Sequence, residues 1–275
     1  MSEMCVICSG SAKKMNTYSR QCEECGYYFS SLPSGFGQDV KGLKNLRKQN
    51  FRKILRIILS LNTTPKILEI GSGDGYFIEE CIDLNLSISG SEASLDSFKK
   101  LKNKFKKKAK IYKLSLPESI IKKTKSKFDF IIFNDVFEHL KNLNEVINAS
   151  LLALNKGGII VINSPTSDGI IFQVSSFLMK IGYTKLYDRL WQKNMNSPHL
   201  SYFNKNNLDL LFSKHNFYVF KSGFLNSLDV NNSSRFSNLY DSTLKKIIFS
   251  MLCFLFVFLQ QIFPKDIMFI FFKHK

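Results

Sequence analysis

The chain has 275 residues, 44% of them apolar and 22% charged, with a formal net charge of +17. That mix excludes a disordered or collagen-like chain, and the length suits one sizeable α/β domain with a small appendage. The opening "MSEMCVICSG" lacks a basic start followed by an apolar stretch, so the expectation is a cytoplasmic protein in a reducing compartment, where paired cysteines mean metal more often than disulfide.

The first 30 residues show little apolar periodicity but hold two cysteine pairs. Cys5, Cys8, Cys22 and Cys25 form C-x2-C-x13-C-x2-C, a spacing that closes a tetrahedral thiolate site around zinc. Four thiolates leave no open coordination position, so the expected role is structural or in substrate docking. Residues 1–35 are assigned to this zinc ribbon and 36–62 to a basic linking helix. Within 40–62, Leu43, Leu46, Phe51, Ile54, Leu55, Ile58 and Leu61 recur at helical spacing until Pro65 stops the run.

From residue 63 strands and helices alternate. "KILEI", "LSISG", "KIYKL", "FDFIIF", "GIIVIN" and "FYVFKS" read as strands. Between them, "GYFIEECIDL", "SLDSFKKLKNKF", a short segment from Pro117, "LNEVINASLLAL" and "NKNNLDLLFSKH" read as helices, the last capped by Asn204. Apolar strands between helices indicate a largely parallel sheet covered on both faces. Thirteen lysines lie between Lys99 and Lys127 against one acid, Glu118. They read as a solvated face, or as attraction to anionic lipid or nucleic acid; the lack of arginine and of a sustained run of interleaved aromatics disfavours RNA.

The stretch "KILEIGSGDGYF" (66–77) places Gly71, Gly73 and Gly75 at the first strand-to-helix turn, behind Glu69. Ligands meet helix N-termini at such turns. The position after Gly71 and Gly73 that G-x-G-x-x-G requires is Tyr76, and no G-x-x-x-x-G-K-[ST] is present, so neither a nicotinamide fingerprint nor a P-loop fits. A carboxylate two residues before the first glycine suits a cationic part of a ligand.

This arrangement resembles the first motif of the Rossmann-like, class I S-adenosylmethionine-dependent methyltransferases, over about residues 64 to 222. The resemblance implies an α/β, doubly wound, mostly parallel seven-stranded sheet. Its last strand, "KDIMFIFFKHK", would insert antiparallel between the fifth and sixth. It implies cofactor contacts from Glu69, Gly71, Ser72, Gly73 and Gly75, and from Glu92 in "ISGSEAS" to the ribose. Asn134 in "FDFIIFNDVFEHL" would line the cofactor cleft. Many relatives carry an acid after the third strand that touches adenine; Ser115 stands at about that position here. The methyltransferase domain is taken as 63–275, with an apolar helical insertion at 242–263.

Methyl transfer is an in-line displacement at a sulfonium, sometimes assisted by a base. Candidates near the transferred methyl are Asn134, Asp135, Glu138 and His139, with His199 in "SPHLSYF" reaching the same pocket. The amine-gripping [DN]-P-P-[YF] turn of amino-methylating relatives is replaced by "NDVF", so oxygen or carbon is the expected acceptor atom. "IIFSMLCFLFVFLQQIF" (247–263) is nearly free of charge; the reading is a helix on the inner membrane face, against packing within the protein or on a partner. "GIIFQVSSFLMKIGY" (169–183) falls where relatives carry a substrate lid. The leading expectation is O- or C-methylation of a small molecule, sugar or lipid-linked glycan. The alternatives are a ribosomal or transfer RNA methyltransferase, and an inactive S-adenosylmethionine-binding module.

Overall fold

A computed structural model describes residues 4–35, 44–227 and 263–275. The amino-terminal module is a small antiparallel sheet of β1 (Ala12–Lys14), β2 (Ser19–Cys22) and β3 (Tyr28–Ser30). Helix α1 (Lys44–Leu61) follows. The chain then alternates through β4 (Lys66–Ile70), α2 (Tyr76–Asp83), β5 (Ser87–Glu92), α3 (Leu95–Phe105), β6 (Lys110–Lys113), α4 (Ile120–Thr124) and β7 (Phe128–Asn134). After a 3-10 turn at Phe137–His139 come α5 (Leu143–Ala153), β8 (Leu154–Pro165), α6 (Ile170–Lys180), α7 (Lys185–Leu190), β9 (Ser201–Tyr202), α8 (Lys205–Ser213), β10 (Phe217–Leu225) and β11 (Ile267–His274).

The main sheet has seven strands in the order β10-β11-β8-β7-β4-β5-β6. Neighbours from β8 to β6 run parallel, and β11 lies antiparallel between β8 and β10, with Ile270 opposite Ile162 and Ser222. This is the doubly wound arrangement expected, with the last strand in the expected slot. The continuous apolar runs that marked β4, β7 and β8 are buried because helices cover both faces of the sheet. One face packs Phe51, Ile54, Phe77, Ile78 and Leu101; the other packs Phe137, Leu143, Val146, Leu208 and Phe212.

Helix α1 is more than a linker. Its apolar stripe enters the same core as α2 and the sheet. Its polar flank pairs Lys48 with Glu79 at 2.8 Å and Arg52 with Glu80 at 2.5 Å. Burial alone would raise the Glu80 carboxyl, but its hydrogen bonds to Arg52 and Lys48 outweigh that and hold it below the usual range. Asn204 caps α8 as expected: its side chain accepts from the Asn207 amide at 2.9 Å, and Asn207 reciprocates at 3.0 Å.

The amino-terminal sheet does not end with β3. Strand β9, from the loop before α8, adds antiparallel to β3 as a fourth strand, with Tyr28 opposite Tyr202. A cluster of Tyr18, Tyr28, Phe172, Tyr187, Trp191 and Tyr202 seals this joint beneath α6 and α7. Residues 242–262 of the expected apolar insertion lie outside the described residues. No helix among the described residues is long and apolar enough to cross a membrane.

Candidate functional site

A cavity of about 360 Å³ opens at the carboxyl ends of β4, β5 and β7. The first turn shapes its floor. Gly71 has φ +68°, and a Cβ there would stand 2.6 Å from Val136 Cγ2; Gly75 has φ +78°, and a Cβ would press on Phe105 at 2.5 Å. Glycine alone meets both demands, left-handed backbone and close approach. The Ser72 amide donates to Ser91 O at 2.9 Å, and the Gly73 amide donates to Glu92 Oε1 at 2.6 Å. The ends of β4 and β5 are thereby tied together, with the Glu92 carboxylate at the cavity edge.

Glu69 is 2% exposed and lines the cavity. Asn134 Nδ2 donates to its Oε1 at 2.9 Å, while Oε2 has no hydrogen-bond partner among the described residues. Burial, reinforced by the nearby Glu92 charge, pushes this carboxyl up to about 8. A buried, half-satisfied acid facing a cavity is suited to a cationic ligand, which would restore its charge.

The same cavity is lined by Glu138, His139 and His199, whose ligating atoms lie within 4.8 Å of one another. Glu138 is 1% exposed, and neither carboxyl oxygen has a partner among the described residues. Burial, with the Asp135 charge second, drives its pKa well above the usual range and so favours the protonated form. His139 Nδ1 lies 2.9 Å from Pro198 O, which can only accept; the proton therefore sits on Nδ1 and Nε2 keeps its lone pair. His199 Nδ1 donates to Tyr202 OH at 3.1 Å, that hydroxyl donates to Leu190 O, and Gln192 stands 3.0 Å from Nε2. Burial lowers the pKa of both rings, and the facing His139 lowers His199 further.

The profile of a family described as "Methyltransferase domain" matches residues 43–222. The chain belongs to the methyltransferase domain family. It is 31% identical over 150 residues to the ubiquinone biosynthesis O-methyltransferase of Pelagibacter ubique (strain HTCC1062), a match spanning 53% of this chain and 62% of that protein. Among solved structures, a SAM-dependent methyltransferase from Archaeoglobus fulgidus superposes with a TM-score of 0.53 at 19% identity, over 84% of this chain and 97% of the other. Magnesium protoporphyrin IX methyltransferase from Synechocystis PCC 6803, solved with bound SAH, gives 0.52 at 12% identity, over 88% and 90%. The likeness is one of fold: the chain has the class I methyltransferase architecture.

Of the residues singled out in the sequence, Glu69, Gly71, Ser72, Gly73, Glu92, Asn134, Glu138, His139 and His199 all border the one cavity. Gly75 stands just behind, at the N-cap of α2. Ser115 is not on the cavity wall; its neighbours Leu114 and Leu116 are. Alternation along the chain after β6 turns those two leucines inward, which makes this wall apolar where an acid or hydroxyl was expected. Sequence reasoning also missed Arg47, Gln192 and Ser197, which line the cavity. Arg47 Nη2 reaches Asp135 Oδ2 at 3.4 Å across the opening. Its only signal in the sequence is a position one turn before Phe51 on the buried stripe of α1.

The four amino-terminal cysteines also converge. Their sulfurs lie within 4.8 Å of one another, with Cys8 and Cys22 at 3.3 Å and Cys5 and Cys25 at 3.6 Å. Tetrahedral Zn–S bonds put sulfurs about 3.8 Å apart, so the set closes on an ion with small adjustments. The amides of Ile7, Gly10 and Cys25 point at sulfurs at 3.3 to 3.5 Å, as thiolates require. Burial pushes the Cys5 thiol up to about 11, and a thiol so disfavoured as an anion is one that a cation would stabilise.

Proposed function

We propose that this methyltransferase moves the methyl group of S-adenosylmethionine onto an oxygen, or an activated carbon, of a small-molecule acceptor. The observation that carries the reading is the buried trio Glu138, His139 and His199 lining the same cavity as the glycine turn. Bound S-adenosylmethionine would place its ribose hydroxyls at Glu92, its cationic methionyl end at Glu69 and its adenine between Leu114 and Leu116. Transfer from a sulfonium needs alignment, a dry site and removal of the acceptor's proton. His139, neutral and with a free Nε2, is suited to take that proton. Glu138, whose burial favours the protonated carboxyl, is suited to donate a hydrogen bond to the acceptor oxygen. His199, with both ring nitrogens engaged by protein, is suited to shape the acceptor wall and to hold the His139 ring edge-on, 4.7 Å between centroids.

The similarity to a ubiquinone biosynthesis O-methyltransferase supports oxygen over nitrogen. The four cysteines are read as a structural zinc site, and residues 247–263 as a contact with the cytoplasmic membrane face that would deliver a lipid-linked or amphiphilic acceptor. The deciding experiment follows S-adenosylhomocysteine release with phenols, sugar nucleotides, amines and transfer RNA offered in parallel. Turnover confined to hydroxyl or carbon acceptors is expected. Turnover with amines or RNA alone would overturn the reading.

A further inference from the structure

We propose that the four-cysteine module positions the acceptor half of the cavity: the metal centre fixes β3, β3 holds β9, and β9 holds His199. The proposal rests on the reading of Cys5, Cys8, Cys22 and Cys25 as a zinc site.

The connection is short and continuous. Strand β3 begins three residues after Cys25, so a closed thiolate cage fixes where the strand starts. Strand β9 has two residues, and β3 is its sheet partner. So short a strand cannot hold its own course, and without β3 its backbone groups would be left unpaired. The Ser30 amide donates to Leu200 O at 2.9 Å, and Ser30 Oγ donates to His199 O at 2.9 Å. Tyr27 OH meets Ser201 Oγ at 2.5 Å, and its ring stacks on Phe203 at 5.3 Å. On the far side, the Leu200 amide donates to Glu138 O at 2.8 Å. Residues 199–202 are therefore gripped between the cysteine module and the turn that carries Glu138 and His139.

The cofactor half is built differently. Glu69, Gly73 and Glu92 are held by bonds within the main sheet and its turns. Of residues 4–35, Gly35 alone lines the cavity, and it does so beside Ser197, whose Oγ donates to its carbonyl. The module is placed to govern the acceptor wall and leave the cofactor floor untouched. A purely structural role, in which Ile7 and Tyr27 merely enlarge the core, would couple both halves to global stability instead.

The experiment uses the full chain saturated with S-adenosylhomocysteine. Bound zinc is counted by mass spectrometry, hydrogen exchange is followed over residues 197–203, and the ¹⁵N signals of the His199 ring report its tautomer. Three states are compared: as isolated, stripped by chelator, and zinc-loaded Ser30→Ala and Tyr27→Phe. The expected result is one zinc per chain. Stripping speeds exchange at 197–203 and averages the His199 ring signals, while S-adenosylhomocysteine affinity changes less than about threefold. Each zinc-loaded variant should speed exchange about three- to tenfold, the scale of one lost hydrogen bond, and Ser30→Thr should restore it. Should stripping unfold the whole chain, the zinc-loaded variants decide: unchanged exchange and unchanged ring signals in both overturn the proposal. A chain that neither carries nor takes up zinc overturns it at its premise, whatever the variants do.

Discussion

Replacing Glu69 by Gln should abolish a proton release that accompanies cofactor binding. Burial, with the Glu92 charge assisting, places the free carboxyl at about 8, so at pH 7 it is about nine-tenths protonated. A sulfonium or ammonium in contact favours the carboxylate, and binding must then expel the proton. The sign follows: lower pH protonates Glu69 more fully and weakens binding, so affinity rises with pH and stops gaining from this group above about 8. Below about pH 7 the slope from this group approaches tenfold per unit, or ~1.4 kcal/mol, and it falls away as the pH nears 8. Calorimetric titration with S-adenosylmethionine at pH 7, in two buffers of different ionisation enthalpy, counts the protons. About 0.9 should leave Glu69, less about 0.1 taken up by the ligand's own amine. Glu69→Gln keeps an oxygen for Asn134 to donate to and should lose the release. Equal proton counts and equal pH slopes in both proteins would refute the placement of a cation at Glu69.

Other consequences are equally measurable. Gly71→Ala forces a left-handed residue against Val136 and should cost about 1–2 kcal/mol in unfolding free energy from backbone strain alone, with weaker S-adenosylmethionine binding; unchanged stability and affinity would contradict the turn geometry. His139→Asn should lower kcat about 10²- to 10⁴-fold while cofactor affinity, measured by titration, stays within about twofold. Burial lowers the His139 pKa, so the ring stays a free base below pH 6.5. The kcat profile should therefore be flat through neutral pH and fall only on the acid side of 6.5. A shortened chain lacking residues 244–263 should lose the flotation with anionic vesicles that the full chain shows; equal behaviour of the two chains would contradict the membrane reading.

The parts legible in the sequence were those whose physics is local. Buried parallel strands need largely apolar runs, so β4, β7 and β8 announced themselves, and the glycines announced a turn no other residue could make. The amino-terminal strands did not. Each of β1 and β3 has three residues, and their pairing depends on the cysteine knuckles and on β9, some 170 residues away in sequence. The turn at Phe137–His139 and helix α7 are likewise short and stabilised by tertiary packing. Ser115 stands between Leu114 and Leu116, the two residues that line the cavity there, a one-residue matter that motif position does not decide. Arg47 passes unnoticed within the basic helix of residues 36–62 because its reach into the cavity depends on how α1 packs, which no local pattern encodes.

The central claim is that the carboxyl ends of β4, β5 and β7 form the S-adenosylmethionine site. A crystal structure with S-adenosylhomocysteine tests it directly. The ligand should fill the cavity with its ribose hydroxyls on Glu92 and its amine toward Glu69. A cavity left empty under saturating ligand, or the nucleoside bound elsewhere, would contradict it.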